Sequence, residues 1–156
     1  MAPMERAQTD DHASRTALRG IGHWVFLGLS LASVLGLLAL RFLTSPDPRG
    51  HGTHEQLGLP ACTLMQLTGF PCPGCGVTTA MSHLAHGQWR AAIVAQPVGL
   101  LLALAGTCAL AWSLFETARG GDAWASLRRV WRPWMSWSVG AALLASWIYK
   151  IADTYA

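Results

Sequence analysis

Charge is what this chain has least of: Asp, Glu, Lys and Arg make up 12% of its 156 residues, about half the roughly 25% of an ordinary soluble domain. That shortage excludes a typical water-soluble globular protein. No Gly-rich phosphate loop and no serine-nucleophile elbow occurs, so nucleotide binding and serine hydrolysis lack a motif to rest on. Internal acids and bases are missing from the second and third long uncharged stretches, which leaves no relay for a proton- or ion-coupled pathway. What remains is apolar, at 52% of the chain with a mean hydropathy of +0.32. The composition points to a membrane.

Three uncharged stretches carry that hydropathy: 21 residues from Gly20 to Leu40, 25 from Ala91 to Phe115, and 17 from Pro133 to Tyr149. About 20 apolar residues cross the hydrocarbon as a helix, with about 17 as the lower bound. The expected spans are therefore about 21–42, 92–115 and 133–151. Trp134, Trp137, Trp147 and Tyr149 flank the third as an interfacial aromatic belt does. The first is too long for a signal peptide and is followed by no Ala-x-Ala site, so it reads as a retained anchor. His23, near its inner end, reads as an interfacial side chain.

Basic residues set the orientation. Arg6, Arg15, Arg19, Arg119, Arg128, Arg129 and Arg132 put seven on one side, and Arg41, Arg49, Arg90 and Lys150 put four on the other. The positive-inside rule places the N-terminus in the cytoplasm and the segment after the first span outside. The net charge of +3 is then a topology signal and calls for no nucleic-acid partner. The expected partner is the lipid bilayer, with a second membrane protein as a further candidate.

Residues 1–19 are polar and lack apolar periodicity, which predicts a mobile cytoplasmic tail; residues 20–156 form a single polytopic membrane domain. Ser45 to Gly52 is rich in turn formers and predicts an exposed loop. A short helix with Pro60 near its first turn ends at Gly69, and a second from Val77 to His86 closes at Gly87. Together they make a helical hairpin over about 59–87, lying at or dipping into the outer membrane face. Pro97 either kinks the second span or opens it. Between the second and third spans, a helix from Ala123 to Arg132 sets Trp124, Leu127, Val130 and Trp131 opposite Arg128, Arg129 and Arg132, an interfacial pattern. Gly28, Ala32 and Gly36, and likewise Gly99, Ala103 and Thr107, repeat every fourth residue as small residues do at close helix contacts.

The chain has four cysteines. Cys108 falls in the inner half of the second span and reads as a packed small side chain. Cys62, Cys72 and Cys75 share the outer hairpin, with Pro73 and Gly74 inside the turn. Two thiols separated by two residues before a helix can close a small disulfide ring, and Cys62 supplies a third partner for exchange. Thiol–disulfide chemistry is the first reading. Metal ligation is the alternative, because Cys72 and Cys75 have ligand spacing and His51, His54, His83 and His86 lie in the same segment. The candidate ligands are Cys62, Cys72, Cys75, His83 and His86, although His83 sits eight residues past Cys75, about 12 Å along a continuous helix. A structural or partner-binding subunit with an inert turn is the third reading. Gly76 stands where c-type haem attachment requires His.

Cys62, Leu67-Thr68-Gly69, the run Cys72-Pro73-Gly74-Cys75-Gly76-Val77-Thr78-Thr79-Ala80, Leu84, Gly87 and Gln96-Pro97 resemble a family of small bacterial membrane proteins with a CPxCGxTRA signature, domain-of-unknown-function family 2752. The resemblance covers roughly Ala61 to Leu102. It implies an all-helical, multi-pass protein of the bacterial inner membrane and brings no activity with it. Thr79 stands where the family usually has Arg, and Gln96 where it usually has Asn.

Overall fold

The computed structural model describes residues 20–155; the tail expected over 1–19 lies outside them. Among the described residues the chain is all-helical, with no strand. The helices are α1 (Ile21–Leu43), α2 (Thr63–Thr68), α3 (Val77–Ala85), α4 (Trp89–Ala95), α5 (Pro97–Ala118), α6 (Ala123–Val130) and α7 (Pro133–Tyr155), and a 3-10 turn covers Thr53–Leu57. Two of them, α1 and α5, are long and apolar enough to cross a membrane. Only 11% of the apolar window of α1 and 28% of that of α5 is buried in the protein, so these are not core helices wrapped by chain. Helix α7 is as long as α1 and carries Lys150 and Asp153 in its last turns.

Proline accounts for the main boundary that differs from expectation. The second span was expected from residue 92, but 92–95 belong to α4. Gln96 is extended (φ −170°, ψ 107°), and Pro97 opens α5. The ring of Pro97 disfavours helical backbone at the residue before it, and its missing N–H costs nothing at a helix start. The same rule ends α6 at Val130, two residues before the expected end, ahead of Arg132-Pro133.

Two compact units divide the described chain, and α1 and α5 each contribute to both. One unit takes residues 20–33 and 106–131. Its centre is His23, fully buried within the protein. The Ala123 N–H donates to His23 Nδ1 at 3.1 Å, and Nε2 lies 3.1 Å from Thr117 Oγ1. Thr117 Oγ1 already donates to the Ser113 carbonyl, so Nε2 gives its proton to Thr117 while Nδ1 accepts from Ala123. Asp122 caps α6 through the Ala125 N–H and also accepts from the Gly20 N–H. Glycines at close approach here include Gly22, against the Trp124 ring, Gly106, against Ser33, and Gly121, against Glu116; on α1, Gly28 and Gly36 face open space, so the expected stripe is not a contact within the chain. Cys108 is exposed on α5, not packed.

The other unit takes 34–105 and 132–155. Here α3 packs on α4 and on the 3-10 turn. Gly99 and Ala103 lie at the packed face of α5: a Cβ on Gly99 would meet Ala80 and Val77, and Ala103 is fully buried. The segment after α1, expected as an exposed loop, is folded back on itself. Ser45 and the Gln56 amide bond in both directions, the Asp47 N–H donates to Thr53 Oγ1, and Asp47, Gly52 and Thr53 are buried. Long-range hydroxyl pairs then fasten this loop to α3: Thr53 to Thr79 at 2.9 Å and Thr44 to Ser82 at 3.3 Å.

Candidate functional site

The cysteine turn lies between α2 and α3, and glycines shape both of its ends. Gly69 terminates α2 at φ +75°, and Gly76 opens α3 at φ +88°. A Cβ on Gly76 would come within 2.9 Å of the carbonyl oxygens of both Gly50 and Ala95, so the folded-back loop and the end of α4 press directly on the residue after Cys75. Within the turn the Cys75 N–H donates to the Cys72 carbonyl at 2.9 Å, and the Cys72 N–H to the Cys75 sulfur at 3.3 Å. Helix α7 clamps the approach to it. Trp147 Nε1 donates to the carbonyl of the buried Pro71, and the Tyr155 hydroxyl to that of Gly69. The Tyr149 hydroxyl reaches the Val94 carbonyl. Two of the aromatics read in sequence as a membrane belt thus hold backbone of this unit.

Cys62, Cys72 and Cys75 converge. Their sulfurs all lie within 4.8 Å of one another, and those of Cys72 and Cys75 are 3.3 Å apart. Among the described residues this is the one group of three or more metal-ligating side chains that could hold an ion. The thiols are not equivalent. Cys62 precedes the first turn of α2; its sulfur makes no capping hydrogen bond, yet the nearby Met65 N–H favours the thiolate and brings its pKa down to about 7. Burial pushes the Cys75 thiol up to about 12.

A pocket of about 240 Å³ opens beside Cys62 and Cys75, and its wall includes Arg49, His51, His54 and Glu55. Arg49 is held by Asp47 at 2.7 Å and by Glu55 at 3.3 Å, and its guanidinium keeps the Asp47 carboxyl below its ordinary pKa.

Residues 62–110 match the family model DUF2752, described as a protein of unknown function. The DUF2752 segment begins at Cys62 and holds all three clustered thiols, whereas His51 and His54 lie before it. Searches of curated proteins and of solved structures return no match.

Two departures within the DUF2752 segment sit around the turn. Thr79 is fully buried against Thr53, so a hydroxyl pair fills the position where the family signature has Arg. Gln96 is fully buried with neither side-chain polar atom partnered, and its Cβ packs 3.4 Å from where a Gly76 Cβ would be. His83 and His86 do not join the thiols: His83 Nδ1 bonds Gln88 Oε1 at 2.6 Å, and His86 Nδ1 bonds the Ser82 carbonyl at 2.8 Å. The histidines of the thiol pocket are the two from the upstream loop. The sequence named the downstream pair as candidate ligands although its spacing already set His83 far along the helix from Cys75; the upstream loop's return to Gly76 depends on Thr53–Thr79 pairing, which no local pattern encodes.

Proposed function

We propose that this chain is a multi-pass protein of the bacterial inner membrane whose Cys62–Cys72–Cys75 cluster, on the extracytoplasmic side, holds a soft divalent metal ion such as zinc. The observation that carries this reading is the convergence of three sulfurs. At a zinc–sulfur distance of about 2.3 Å, tetrahedral ligands stand about 3.8 Å apart, a value between the 3.3 Å of the Cys72–Cys75 pair and the 4.8 Å limit of the group. A disulfide uses two thiols and leaves the third; one metal ion uses all three. Residues 62, 72 and 75 then form a centre built by α2, the turn and the N-terminus of α3.

The orientation comes from the seven-to-four distribution of basic residues, with α1, α5 and α7 as the spans. For α7 the support is an internal ion pair: Lys150 is buried and donates to Asp153 at 3.0 Å, so its two charges offset each other near one end of the helix. Helix α6 lies along the cytoplasmic interface, with half-exposed Trp124 and Trp131 toward the acyl chains and its arginines toward anionic headgroups.

Thiol–disulfide exchange is the second reading, and the lowered pKa of Cys62 favours it, because a thiol ionised near ambient pH is the effective attacking group. One experiment separates the two. The full chain, purified in detergent without chelator, is analysed for metal and for cysteine state by alkylation and mass spectrometry. The metal reading expects about one zinc per chain, lost on Cys72→Ser. A metal-free protein with a Cys72–Cys75 bridge opened by mild dithiol would replace it with exchange, and three free, metal-free thiols would sink both.

A further inference from the structure

We infer that the fourth ligand of this centre is His51, through Nε2, which closes the coordination sphere as Cys3His and makes the site structural or metal-sensing, with no open position for catalysis. This rests on the metal reading of the three thiols.

His51 Nδ1 lies 2.9 Å from the Arg49 carbonyl. A carbonyl only accepts, so Nδ1 carries the proton and the lone pair stands on Nε2 at the tip of the ring. A metal-binding histidine has this arrangement, its second nitrogen donating to a backbone carbonyl that fixes tautomer and orientation. The ring lines the same pocket as Cys62 and Cys75 but lies outside the group of ligand atoms that the three sulfurs form, so closing the sphere requires the His51 loop to swing in toward them as the metal binds. Its backbone is also anchored there, since the Gly50 carbonyl packs on Gly76, the residue after Cys75.

The other donors in the wall serve less well. His54 spends Nε2 on the Pro60 carbonyl at 3.2 Å, which leaves only Nδ1, close to its own backbone and short in reach. Glu55 is engaged by Arg49. A neutral imidazole with three thiolates is a common ligand set for structural zinc, and four protein ligands leave no place for a reactive water. Because His51 lies before the DUF2752 segment, the closing ligand comes from the part of the chain that the family match does not cover.

The test uses the full chain in detergent micelles, reduced, stripped with chelator and titrated with Co²⁺, then with Zn²⁺ in competition. Thiolate-to-cobalt charge transfer reports the sulfur ligands, and the visible d–d bands report the fourth. In the wild type both signatures appear in tetrahedral form. His51→Ala keeps the charge-transfer band, shifts the d–d bands and lowers zinc affinity by more than the roughly 10–100-fold that loss of an outer-shell partner costs. His51→Cys restores tight binding with added charge-transfer intensity, which shows that the loop still folds. His54→Ala behaves as wild type. Unchanged d–d bands and affinity in His51→Ala, or their loss in His54→Ala instead, would overturn the assignment while the three-thiol centre stands. Absence of charge transfer in the wild type would overturn the metal reading itself.

Discussion

Replacing Gly76 by alanine tests whether the cysteine turn is built by the close approach of three separate backbone segments. Two costs add at this position. With φ at +88°, an L-residue loses roughly 1–2 kcal/mol relative to glycine. A Cβ there would also stand 2.9 Å from two carbonyl oxygens, those of Gly50 and Ala95. Both are backbone atoms that cannot swing aside, so the turn must shift, at about 1–3 kcal/mol for an overpacked site. Alanine recovers about 0.4–1 kcal/mol by restricting the unfolded chain. The net loss is about 1–4.6 kcal/mol, centred on about 3 kcal/mol.

Two further glycines calibrate the terms. Gly87 shares the left-handed backbone, at φ +75°, but has open space where a Cβ would go, and Gly140 sits inside α7 with neither strain nor neighbour. Gly87→Ala therefore isolates the backbone term and loses about 1 kcal/mol net, whereas Gly140→Ala is neutral or gains up to about 1 kcal/mol. Thermal melts of the detergent-solubilised protein, followed by circular dichroism, should rank the variants with Gly140→Ala highest and Gly76→Ala lowest. At about 2–4 °C per kcal/mol for a chain of this size, Gly76→Ala falls roughly 6–12 °C below wild type at the centre of that range. A melting temperature for Gly76→Ala equal to that of Gly87→Ala would refute the close approach, and with it the placement of the His51 loop over the thiols.

In reduced, chelator-treated protein, Cys62 alkylation should rise with pH to half its plateau rate near 7, about two units below an ordinary thiol, while Cys75 stays unreactive across the same range; equal rates at pH 7 would contradict the unequal environments. A membrane-impermeant thiol reagent added outside intact cells should label Cys62 after mild reduction and metal chelation, and labelling only once the inner face is opened would reverse the orientation. His23→Ala leaves the buried Ala123 N–H without its acceptor, so it should cost roughly 1–3 kcal/mol, read as a lower melting temperature; a loss under about 0.5 kcal/mol would mean that His23 does not fasten α1 to α6.

Local chemistry in the sequence marked the helix ends well wherever a single residue decides them. Gly69 and Gly87 stop helices where expected, and Pro97 takes the second of its two expected roles, opening the span in place of kinking it, for reasons intrinsic to glycine and proline. Helix α4 was hidden because Arg90 and Gln88 flank an apolar run that continues across Pro97, although the pre-proline restriction at Gln96 was legible. The folded-back segment around Thr53 could not be read from its own residues. Its turn formers look alike whether they lie in water or, as here, are fixed by Thr79 on α3 and by the Gly50–Gly76 approach. Small-residue spacing misled on α1 for a related reason: spacing says where a close contact could occur, whereas Trp124 and Ser33 decide that Gly22 and Gly106 are the ones used.

Unequal acidity gives the three thiols an order of events under either chemistry. Cys62 is about half ionised near pH 7, so it is the thiol that an incoming cation or an incoming disulfide meets first. Cys75, buried with its pKa pushed up to about 12, keeps its proton until something compels its loss. A divalent ion anchored by Cys62 supplies that compulsion through its own charge, since thiol ligands bind deprotonated and release their protons on metal uptake. A disulfide partner supplies none, and a thiol of such high pKa leaves slowly, so a bridge through Cys75 would open sluggishly. Burial of the third thiol therefore favours a centre that closes around a cation over one that turns over quickly, and it makes Cys62→Ser the variant that should slow metal uptake most for the loss of a single ligand.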